Sequence, residues 1–559
     1  MRHSTSPSRR LLALTLGGVL AAALAGCGGD SGDEESAGAT GGTLVFGTSN
    51  DPVILDGAYV SDGESIRPVR QIFESLVTTK EGGTEPLPLL AKSWETSADG
   101  LTWTFTLQEG VKFHDGEPFN AAAVCTNFDR WYNFKGVQQA DSVAYYWLTV
   151  FGGFAKNESP DTAPSLYKSC AAENDTTAVI TLTRPNGAFL SGLTLPAFSM
   201  ASPKALTEFK ADEVKGAADA PQFTGTFGTE HPVGTGPFKF ESWQRGDRLT
   251  IARNDDYWGE KAKLDKVVFR PIGKGADRRQ ALEAGDIDGY DLVDPGDVDA
   301  LKSAGFQILE RPAFNVGYIG FDQAEEPVNN PKIREAIAYA INRQQIVQAN
   351  YPAGAEVATQ FQPPSLWGHN PEVPKYDYDP EKAKTLVAES GVKNPTLQFF
   401  YPTDVSRPYM PNPTANFEIM KANLEAVGFK VVPKAAKWDP DYLNAVDSGN
   451  AGAVHIIGWT GDYGDPDNFI GTFFGRPKAQ FGFKDAAIQD ELARALSLSD
   501  QAERDTIYKK ANADIMTALP GIPYVHTKPN IAFKAGVTGY VPSPVNNEDF
   551  STVSLPSSN

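Results

Sequence analysis

Residues 379–401, DPEKAKTLVAESGVKNPTLQFFY, contain a complete helix signal followed by a complete strand signal. Asp379 caps the first turn of a helix, and Pro380 fits the first helical position because its fixed φ angle suits that turn. Gly391 marks the end of the helix. Residues 396–401 form an apolar, aromatic run that is typical of a buried strand. Three apolar residues share the inward face of the helix: Ala383, Leu386 and Val387.

The same helix–strand unit recurs on both sides of this stretch. Asn330 and Pro331 predict a helix start, and residues 415–427 predict a further helix that is followed by a β-like segment at 429–432. Apolar residues recur at helical spacing: Ile333, Ala336, Ile337, Ala340 and Ile341 in one helix, and Phe417, Met420, Leu424 and Val427 in the other. Alternation of helices and strands predicts an α/β sheet domain over about 312–524.

Strand signals dominate the N-terminal half. Residues 43–47 (TLVFG) predict a buried strand, and residues 101–107 (LTWTFTL) alternate between apolar and polar positions as a half-buried strand does. His114, Asp115 and Gly116 predict a hairpin turn, in which glycine supplies a positive φ. A catalytic His–Asp pair is the alternative interpretation of these residues, and their adjacency in a turn disfavours it.

The N-terminus has the layout of a secretory signal peptide over residues 1–26, because three arginines precede an apolar run at 11–24. Cys27 follows Leu-Ala-Gly, which resembles the bacterial lipobox, where the cysteine is lipidated and the chain is cut before it. The run has about 14 residues, short of the roughly 20 that a membrane span needs. An ordinary signal peptide with a chance cysteine and a short anchor are the alternatives. The adjacent Arg9 and Arg10 leave Sec and twin-arginine export both open.

Residues 27–42 are rich in glycine, serine and acidic residues, and they predict a flexible tether of about 22 Å root-mean-square length. A lipid on Cys27 would hold the protein at the outer face of the bacterial cytoplasmic membrane while its body reorients. No later stretch of the sequence reaches the length of a membrane span, so the lipid is the membrane contact that we expect.

Length, composition and charge limit the classes of protein to which this chain can belong. A chain of 559 residues with 41% hydrophobic residues predicts two or three folded domains. The formal net charge of −20 and the lack of any lysine or arginine cluster argue against nucleic-acid binding. Six scattered histidines and the lack of a Cys-x-x-Cys pair argue against a metal site, and we expect no cofactor. Cys125 and Cys170 are predicted to form a disulfide in an oxidising compartment, with two buried free thiols as the alternative.

Catalytic motifs are absent from the sequence. It has no Gly-x-Ser-x-Gly elbow, no Walker loop, no His-Glu-x-x-His pair and no Rossmann glycine fingerprint. We therefore expect no catalytic residues and no enzyme activity. A secreted hydrolase that acts on peptides without a recognisable motif stays open as an alternative.

Four ordered segments carry a resemblance to a known family. They are LLAKSWE at 89–95 with its continuation to Ala121, HPVGTGPFKF at 231–240 with NDDYWG at 254–259, NVGY at 315–318 with the helix at 330–343, and GWTGDYGDPDNF at 458–469. Together they resemble the extracytoplasmic solute-binding proteins of ABC importers, in the peptide and nickel-binding family. The resemblance extends over about 43–550, nearly the whole chain after the tether.

The resemblance implies an α/β, two-lobe, periplasmic-binding-protein-like (Venus flytrap) fold. It implies mixed β-sheets flanked by helices, an extra domain in the N-terminal lobe, and a ligand between the lobes. The implied domains are domain I at 43–80, 231–311 and 525–559, domain II at 81–230, and domain III at 312–524. The connections near 311–314 and 523–526 are the expected hinges for closure of the lobes. Residues 134–168 depart from the family pattern and are interpreted as a local insertion just before Cys170.

Two segments resemble the dipeptide-binding branch of the family. In GWTGDYGDPDNF, the aspartate that receives the α-ammonium group of the peptide corresponds to Asp462. In SRPYMPNP (406–413), the arginine that receives the peptide carboxylate corresponds to Arg407. The charged ends of a dipeptide lie about 6–7 Å apart, so one fixed anion and one fixed cation measure ligand length. The planar guanidinium suits a carboxylate, and a longer peptide would leave it unpaired.

Neighbouring residues complete the implied site. Three of them lie on the segment that would bind the peptide backbone: Trp459, Thr460 and Gly461. Trp459 and Tyr463 would cover apolar side chains of the ligand, although the dipeptide branch often has a smaller polar residue in place of Tyr463. Ordinary structural alternatives exist, because Asp462 is a common turn residue, Arg407 fits a surface loop, and Trp459 fits a core.

The sequence therefore predicts a monomeric, lipid-anchored receptor that captures a short peptide and delivers it to an ABC permease. Ligand binding would shift it from an open to a closed form, and it would perform no chemistry. One alternative keeps the fold and changes the ligand to a longer peptide, nickel chelate, haem, oligosaccharide or other metabolite. Another is a signalling or adhesion lipoprotein that works without a permease.

Overall fold

The computed structural model describes residues 40–218 and 220–556, with the backbone alone for residues 439 and 440. The predicted signal peptide, the lipidation site Cys27 and most of the tether lie outside the described residues. Within the described ranges, no helix combines the length and the apolar character needed to cross a membrane. Several mixed sheets alternate with helices, which confirms the predicted α/β class.

A seven-stranded sheet joins three separated parts of the chain. Its strands, in spatial order, are Phe238–Gln244, Arg248–Arg253, Lys266–Pro271, Thr43–Thr48, Gly289–Tyr290, Asn530–Phe533 and Gln307–Glu310. Thr43–Thr48 runs parallel to both of its neighbours, and the other pairs are antiparallel. Leu44 and Phe46 on this strand are fully buried, which confirms the predicted buried strand at 43–47.

A four-stranded antiparallel sheet forms within residues 91–182. Its strands, in spatial order, are Ala91–Thr96, Thr102–Leu107, Thr177–Leu182 and Tyr167–Asn174. Phe105 and Leu107 are buried on the second strand, as its alternating pattern predicts. Helix Ala121–Tyr132 packs against the edge strand, and a disulfide between Cys125 and Cys170 joins the two. The predicted disulfide is thus present.

A five-stranded mixed sheet occupies the C-terminal half. Its strands, in spatial order, are Lys430–Ala436, Thr396–Pro402, Val454–Thr460, Asn315–Phe321 and Gly521–Val525. Three helices of this half begin at a proline after a capping side chain: Pro331–Ala340 after Asn330, Pro380–Glu389 after Asp379, and Pro413–Ala426 after Asn412. The last of these begins two residues before the predicted start at 415, because the Asn412 oxygen accepts the N–H of Ala415.

The other α-helices flank or connect the sheets. They are Gly63–Ile72, Tyr145–Phe151, Phe189–Gly192, Pro203–Glu208, Phe227–Glu230, Gly275–Ala284, Val298–Ser303, Arg343–Asn350, Leu443–Asp447, Ile470–Phe474, Ala486–Ser497 and Gln501–Ala518. Two short strand pairs lie outside the large sheets: Val77–Thr79 with Pro86–Pro88, and Val214–Ala217 with Ala220–Phe223.

The predicted turn at 114–116 is present in the N-terminal half. Gly116 has a φ of +88° and donates its N–H to the carbonyl oxygen of Phe113 at 2.9 Å. His114 Nε2 lies 3.0 Å from the carbonyl oxygen of Gly236, so this histidine joins the turn to another segment of backbone.

Two neighbouring chain segments pass together from the seven-stranded sheet to the five-stranded sheet. Residues 307–321 supply one strand to each sheet, and residues 521–533 do the same in the opposite direction. Between the sheets, the N–H of Arg311 donates to the carbonyl oxygen of Pro529 at 2.8 Å. The two predicted hinges overlap these crossings, and their motion stays a prediction.

Candidate functional site

The segment 458–469 runs from the centre of the five-stranded sheet to the N-terminal half of the molecule. Strand Val454–Thr460 supplies its first residues, and a 3₁₀ turn at Pro466–Asn468 lies near its end. Between them, Tyr463 is 2% exposed and packs in the apolar cluster of the N-terminal half. Trp459 packs against the apolar cluster of the C-terminal half. The segment therefore lies where the two clusters meet.

Asp462 lies in the middle of this segment and is half-buried. Its Oδ1 accepts a hydrogen bond from the hydroxyl of Tyr146 at 2.9 Å, across from helix Tyr145–Phe151. Its backbone N–H donates to Oδ1 of Asn468 at 2.7 Å, and the Asn468 Nδ2 donates to its Oδ2 at 3.4 Å. Among the described residues, only neutral donors hold this carboxylate, and no ion pair reaches it.

The electrostatics of Asp462 are those of a buried anion without a direct counter-charge. Burial raises the pKa of its carboxyl to about 6, because a charge is costly to maintain away from water. Hydrogen bonds from Tyr146 and Asn468, and then the charge of Arg70, oppose this rise only in part. A raised carboxyl pKa in such a setting is typical of a functional site. An ammonium group placed against Asp462 would supply the missing positive charge.

Arg70 supplies the positive charge that acts on Asp462. It lies in helix Gly63–Ile72, and its Nη1 donates to the carbonyl oxygen of Thr194 at 3.2 Å and to Oδ1 of Asn547 at 2.8 Å. Its Nε is buried without a hydrogen-bond partner in the described part of the chain. Burial lowers the pKa of the guanidinium to about 10, so it carries its charge at neutral pH.

A buried ion pair holds the segment on its other side. Nη2 of Arg504 lies 2.9 Å from Oδ1 of Asp465, and both side chains are at most 4% exposed. Nη1 of Arg504 donates to the carbonyl oxygen of Gly187 at 2.9 Å, and the N–H of Gly187 donates to the carbonyl oxygen of Leu496 at 2.7 Å. These bonds join the N-terminal half to two helices of the C-terminal half beside the segment.

The three residues predicted to bind the peptide backbone lie where the strand ends. Thr460 pairs within the sheet, and Trp459 is half-buried with its Nε1 3.4 Å from Oδ1 of Asn468. Gly461 is buried, and a Cβ at this position would overlap the ring of Phe314. The N–H of Gly461 already donates to the carbonyl oxygen of Phe314 at 2.8 Å. The contacts of these residues with a ligand stay a prediction.

Arg407, the predicted carboxylate partner, lies on a separate turn. Its guanidinium carbon is 4.9 Å from the centroid of the Trp438 ring, on which it stacks. Backbone hydrogen bonds of 3.1 and 2.9 Å join Arg407 and Met410. No hydrogen bond or ion pair among the described residues joins Arg407 to Asp462. The structure therefore leaves its carboxylate role a prediction.

A partly enclosed cavity of about 90 Å³ lies beside the segment. Tyr463 and Asp467 line it from one side, and Thr149 and Asn186 line it from the N-terminal half. Burial raises the pKa of Asp467 to about 7, and the neighbouring Asp465 adds to the rise. Tyr463 thus lies between this cavity and an apolar cluster, and its predicted contact with ligand side chains stays a prediction.

The described residues offer no metal site. No group of three or more histidine, cysteine, aspartate or glutamate side chains in the described ranges lies close enough to hold an ion. Burial lowers the pKa of three histidines to values of about 3 or 4: His114, His455 and His526. These side chains are therefore neutral at physiological pH, and two of them, His455 and His526, are fully buried.

Sequence reasoning missed three residues around Asp462: Tyr146, Asn468 and Arg70. Asn468 lies in the same motif, six residues after Asp462, so the sequence could have suggested that its amide contacts the carboxylate. Tyr146 lies in the segment 134–168, which was interpreted as an insertion, and 316 residues separate it from Asp462. No local pattern marks Tyr146 or Arg70, because their role depends on the packing of distant segments.

Comparisons with known proteins identify the family and the fold of the chain. The family model described as "Bacterial extracellular solute-binding proteins, family 5 Middle" matches residues 85–481. Heme-binding protein A of Haemophilus influenzae is 31% identical over 527 residues, which cover 93% of this chain and 94% of that protein. The Dipeptide-binding protein of Escherichia coli is 31% identical over 498 residues, which cover 87% of this chain and 89% of that protein.

Two solved structures share the fold over 92% of this chain. HbpA2 from Haemophilus parasuis has a TM-score of 0.76 and 30% identity, and 100% of that chain is covered. The ABC transporter-associated periplasmic binding protein DppA from Helicobacter pylori, in complex with the peptide STSA, has a TM-score of 0.75 and 29% identity, with 98% covered. The predicted periplasmic-binding-protein-like fold is thereby confirmed.

Proposed function

The chain belongs to the bacterial extracellular solute-binding proteins of family 5, and we propose that its solute is a short peptide, with a dipeptide favoured. The α-ammonium group of the peptide would bind Asp462, and its carboxylate would bind Arg407. The protein would carry out no reaction. It would release the captured peptide to an ABC permease in the cytoplasmic membrane.

The observation that carries this proposal is the state of the Asp462 carboxylate. It is half-buried, held by the neutral donors Tyr146 and Asn468, and its pKa is raised to about 6. A buried anion without a cation in contact is costly, and a ligand ammonium group would offset that cost. A ligand that lacks an amine, such as an oligosaccharide or haem, would leave the cost in place. An amine-bearing peptide is therefore favoured.

We infer that the peptide is enclosed by the closing of two lobes. In this proposal, one lobe contains domain I (43–80, 231–311 and 525–559) and domain II (81–230), and the other is domain III (312–524). Among the hydrogen bonds that join the proposed domains II and III are those from Tyr146 to Asp462, from Arg504 to Gly187 and from Gly187 to Leu496. Opening would break these bonds, and a ligand that binds the closed form better would restore them.

A lipid anchor on Cys27 is proposed from the lipobox-like sequence. The disulfide between Cys125 and Cys170 fits the oxidising compartment in which a secreted protein would work. Labelling of producing cells with a radioactive fatty acid tests the anchor. The wild-type protein should carry the label, and the Cys27→Ser variant should lose it. Equal labelling of both proteins would contradict lipidation at this residue.

Native mass spectrometry of the protein purified from a rich medium tests the class of ligand. A bound mass in the dipeptide range, released on denaturation, is the expected result. A haem or metal-chelate mass would contradict the peptide proposal. So would a bare protein that binds none of a panel of added dipeptides in a calorimetric titration.

Substitution of the anion tests its assigned role. Asp462→Asn keeps the shape of the side chain and removes its charge, and it should weaken dipeptide binding at least about 100-fold, because a charge-assisted contact is lost in a closed cleft. Asp256→Asn is the matched control, since the Asp256 side chain is 92% exposed. Unchanged dipeptide affinity in both Asp462→Asn and Asp462→Ala would overturn the assignment.

A further inference from the structure

Gly464 lies where one proposed lobe meets the other. It belongs to the segment 458–469, and a Cβ added to it would lie 2.5 Å from the carbonyl oxygen and 2.6 Å from Oγ1 of Thr84. Thr84 lies in the loop between strands Val77–Thr79 and Pro86–Pro88 of the opposite lobe. A carbonyl oxygen in packed backbone cannot move aside as the end of a flexible side chain can. An alanine at position 464 therefore does not fit while the two lobes are in contact.

Gly187 makes a second contact of this kind. A Cβ at this position would overlap the carbonyl oxygen of Leu498 and would lie 2.8 Å from the guanidinium carbon of Arg504. Both backbone polar groups of Gly187 also bond to the opposite lobe, because its N–H donates to Leu496 and its carbonyl oxygen accepts from Arg504. The backbone of Gly187 thus lies directly on the other lobe and leaves no space for a side chain.

The backbone conformation at these two positions does not require glycine. Both residues lie in the described ranges, and both have φ angles outside the left-handed region. Alanine could adopt the same conformation, so the close approach of the opposite lobe is what excludes a side chain. Asp465 follows Gly464 directly and lies 2.9 Å from Nη2 of Arg504, which donates to Gly187 through Nη1. The two contacts therefore belong to one continuous surface.

We propose that Gly187 and Gly464 are the positions whose missing side chains let the two lobes close on a ligand. The inference rests on the lobe closure proposed above. When the lobes separate, Thr84 and Leu498 move away from these glycines, and an alanine at either position has space. Alanine is thus compatible with the open form and excluded from the closed form. Because ligand binds best to the closed form, the variant loses affinity without losing its fold.

The chain offers two matched controls for a glycine-to-alanine change. A Cβ at Gly57 would overlap the carbonyl oxygen of Pro196, and both residues lie in the same proposed lobe, so opening gives no relief. Gly273 is exposed, and the nearest atom to its added Cβ is the carbonyl oxygen of Ser49 at 3.8 Å. Neither control glycine has a left-handed φ. Gly57→Ala therefore reports crowding within a lobe, and Gly273→Ala reports the change of residue alone.

Thermal melting without ligand tests whether the two contacts are separable from the fold. Gly57→Ala should melt about 3 °C or more below the wild type, because its overlap strains the folded state in every form. Gly187→Ala and Gly464→Ala should melt within about 1 °C of Gly273→Ala, because the open form relieves their overlap. If either variant melts as low as Gly57→Ala, its contact is a permanent part of the fold, and the inference is overturned.

Isothermal titration with the dipeptide Ala-Ala at pH 7.5 tests the effect on binding. Gly187→Ala and Gly464→Ala should each weaken binding by about 10- to 100-fold, because the closed form is then overpacked. Gly273→Ala should bind as the wild type does. Unchanged affinity in both variants would overturn the inference and leave the peptide function intact. A wild type that binds neither Ala-Ala nor any other dipeptide would contradict the peptide function, and the melting comparison would still decide the inference.

Small-angle X-ray scattering separates blocked closure from a direct effect on the ligand, since Gly464 lies only two residues after Asp462. With saturating Ala-Ala, the radius of gyration of the wild type and of Gly273→Ala should decrease. Gly187→Ala and Gly464→Ala should keep the radius of the free protein. A loss of affinity in Gly464→Ala alone, with normal compaction, would assign this glycine to ligand contact and overturn the inference. A wild type that binds Ala-Ala without compaction would contradict lobe closure itself.

Discussion

Two regions of the molecule bury charged side chains and pair them differently. The first, here called the paired network, consists of four side chains: Arg67, Asp291, Arg311 and Glu548. Nη2 of Arg67 lies 2.7 Å from Asp291, and Nη2 of Arg311 lies 3.0 Å from the same carboxylate oxygen. In the second region, Asp462 and Arg70 each contact only neutral groups. Burial of charge is common to both regions, and direct pairing occurs in one of them.

The pKa values of the two aspartates record this difference. Burial alone would raise the pKa of Asp291, but the guanidinium groups of Arg311 and Arg67 hold it well below its usual range. Burial does raise the pKa of Asp462, to about 6. The paired network is therefore complete without a ligand, whereas the Asp462 region is not. We therefore infer the proposed binding site from a missing charge partner and not from the burial of charge alone.

Breaking the paired network should have the largest effect. Arg311→Met leaves Asp291 and Glu548, which are 5% and 3% exposed, with only Arg67 nearby. We expect the free energy of unfolding to fall by about 3–5 kcal/mol, because a buried charge loses its partner. Guanidinium chloride denaturation measures the change, with Arg407→Met as a control outside the network. A loss below about 1 kcal/mol would contradict the assigned role of the network.

Peptide binding should depend on pH through Asp462. Its carboxyl must be ionised to bind an ammonium group, and its pKa of about 6 means that protonation competes with binding below that pH. The peptide α-ammonium group is mostly charged at pH 7.5 and almost fully charged at pH 5, since its pKa is about 7.7–8.0. Affinity for a dipeptide should therefore fall about tenfold from pH 7.5 to pH 5. Titrations at both pH values test this, and a flat profile in the wild type would be evidence against it.

The same side chain should have a smaller effect on stability, with the opposite sign to Arg311. Because the folded-state pKa of Asp462 is raised, the folded protein binds this proton more tightly than the unfolded chain does between about pH 4 and pH 6. The ionised carboxylate thus lowers stability above pH 6, and that cost disappears as the pH falls below 4. Asp462→Asn should raise the free energy of unfolding at pH 7.5 by on the order of 1 kcal/mol.

Urea denaturation at pH 7.5 and at pH 4 measures this effect, and the difference between the wild type and Asp462→Asn should vanish at the lower pH. A variant that is less stable than the wild type at pH 7.5 would place Asp462 with the paired network rather than with the binding site.

An exposed ion pair gives the smallest expected effect. Lys92 lies 3.3 Å from Glu109, and the two side chains are 43% and 74% exposed. Lys92→Gln should change the free energy of unfolding by no more than about 0.5 kcal/mol, because water and salt screen such pairs. The same denaturation assay applies. A loss comparable with that of Arg311→Met would show that pairing matters regardless of burial.

Sequence patterns of a few residues predicted several helix starts, a strand and a turn. Asn330 and Asp379 were identified as helix caps because a capping oxygen binds an N–H only two or three residues away. The strand at 43–47 and the turn at Gly116 were likewise predicted from patterns within a few residues. The start of the third helix was predicted two residues too late. Asn412 lies in a proline-rich stretch, and such a stretch is typical of a loop as well as of a helix cap.

Local sequence patterns could not predict which side chains lie around Asp462. The resemblance of the segment 458–469 to a known family singled out Asp462, but nothing local linked it to Tyr146 or to Arg70. Those contacts arise from the packing of segments separated by hundreds of residues. Side chains of this kind have ordinary neighbours in sequence, so their role becomes visible only when the fold places them side by side.

The position of strand Asn530–Phe533 has a consequence for the synthesis of the chain. It lies inside the seven-stranded sheet, between Gly289–Tyr290 and Gln307–Glu310. The ribosome makes Gly289–Tyr290 and Gln307–Glu310 long before residues 530–533, so each of these two strands keeps an unpaired edge until the last part of synthesis. Exposed edges invite pairing with other chains. A premature stop that removes only the last thirty residues would thus leave the seven-stranded sheet permanently divided.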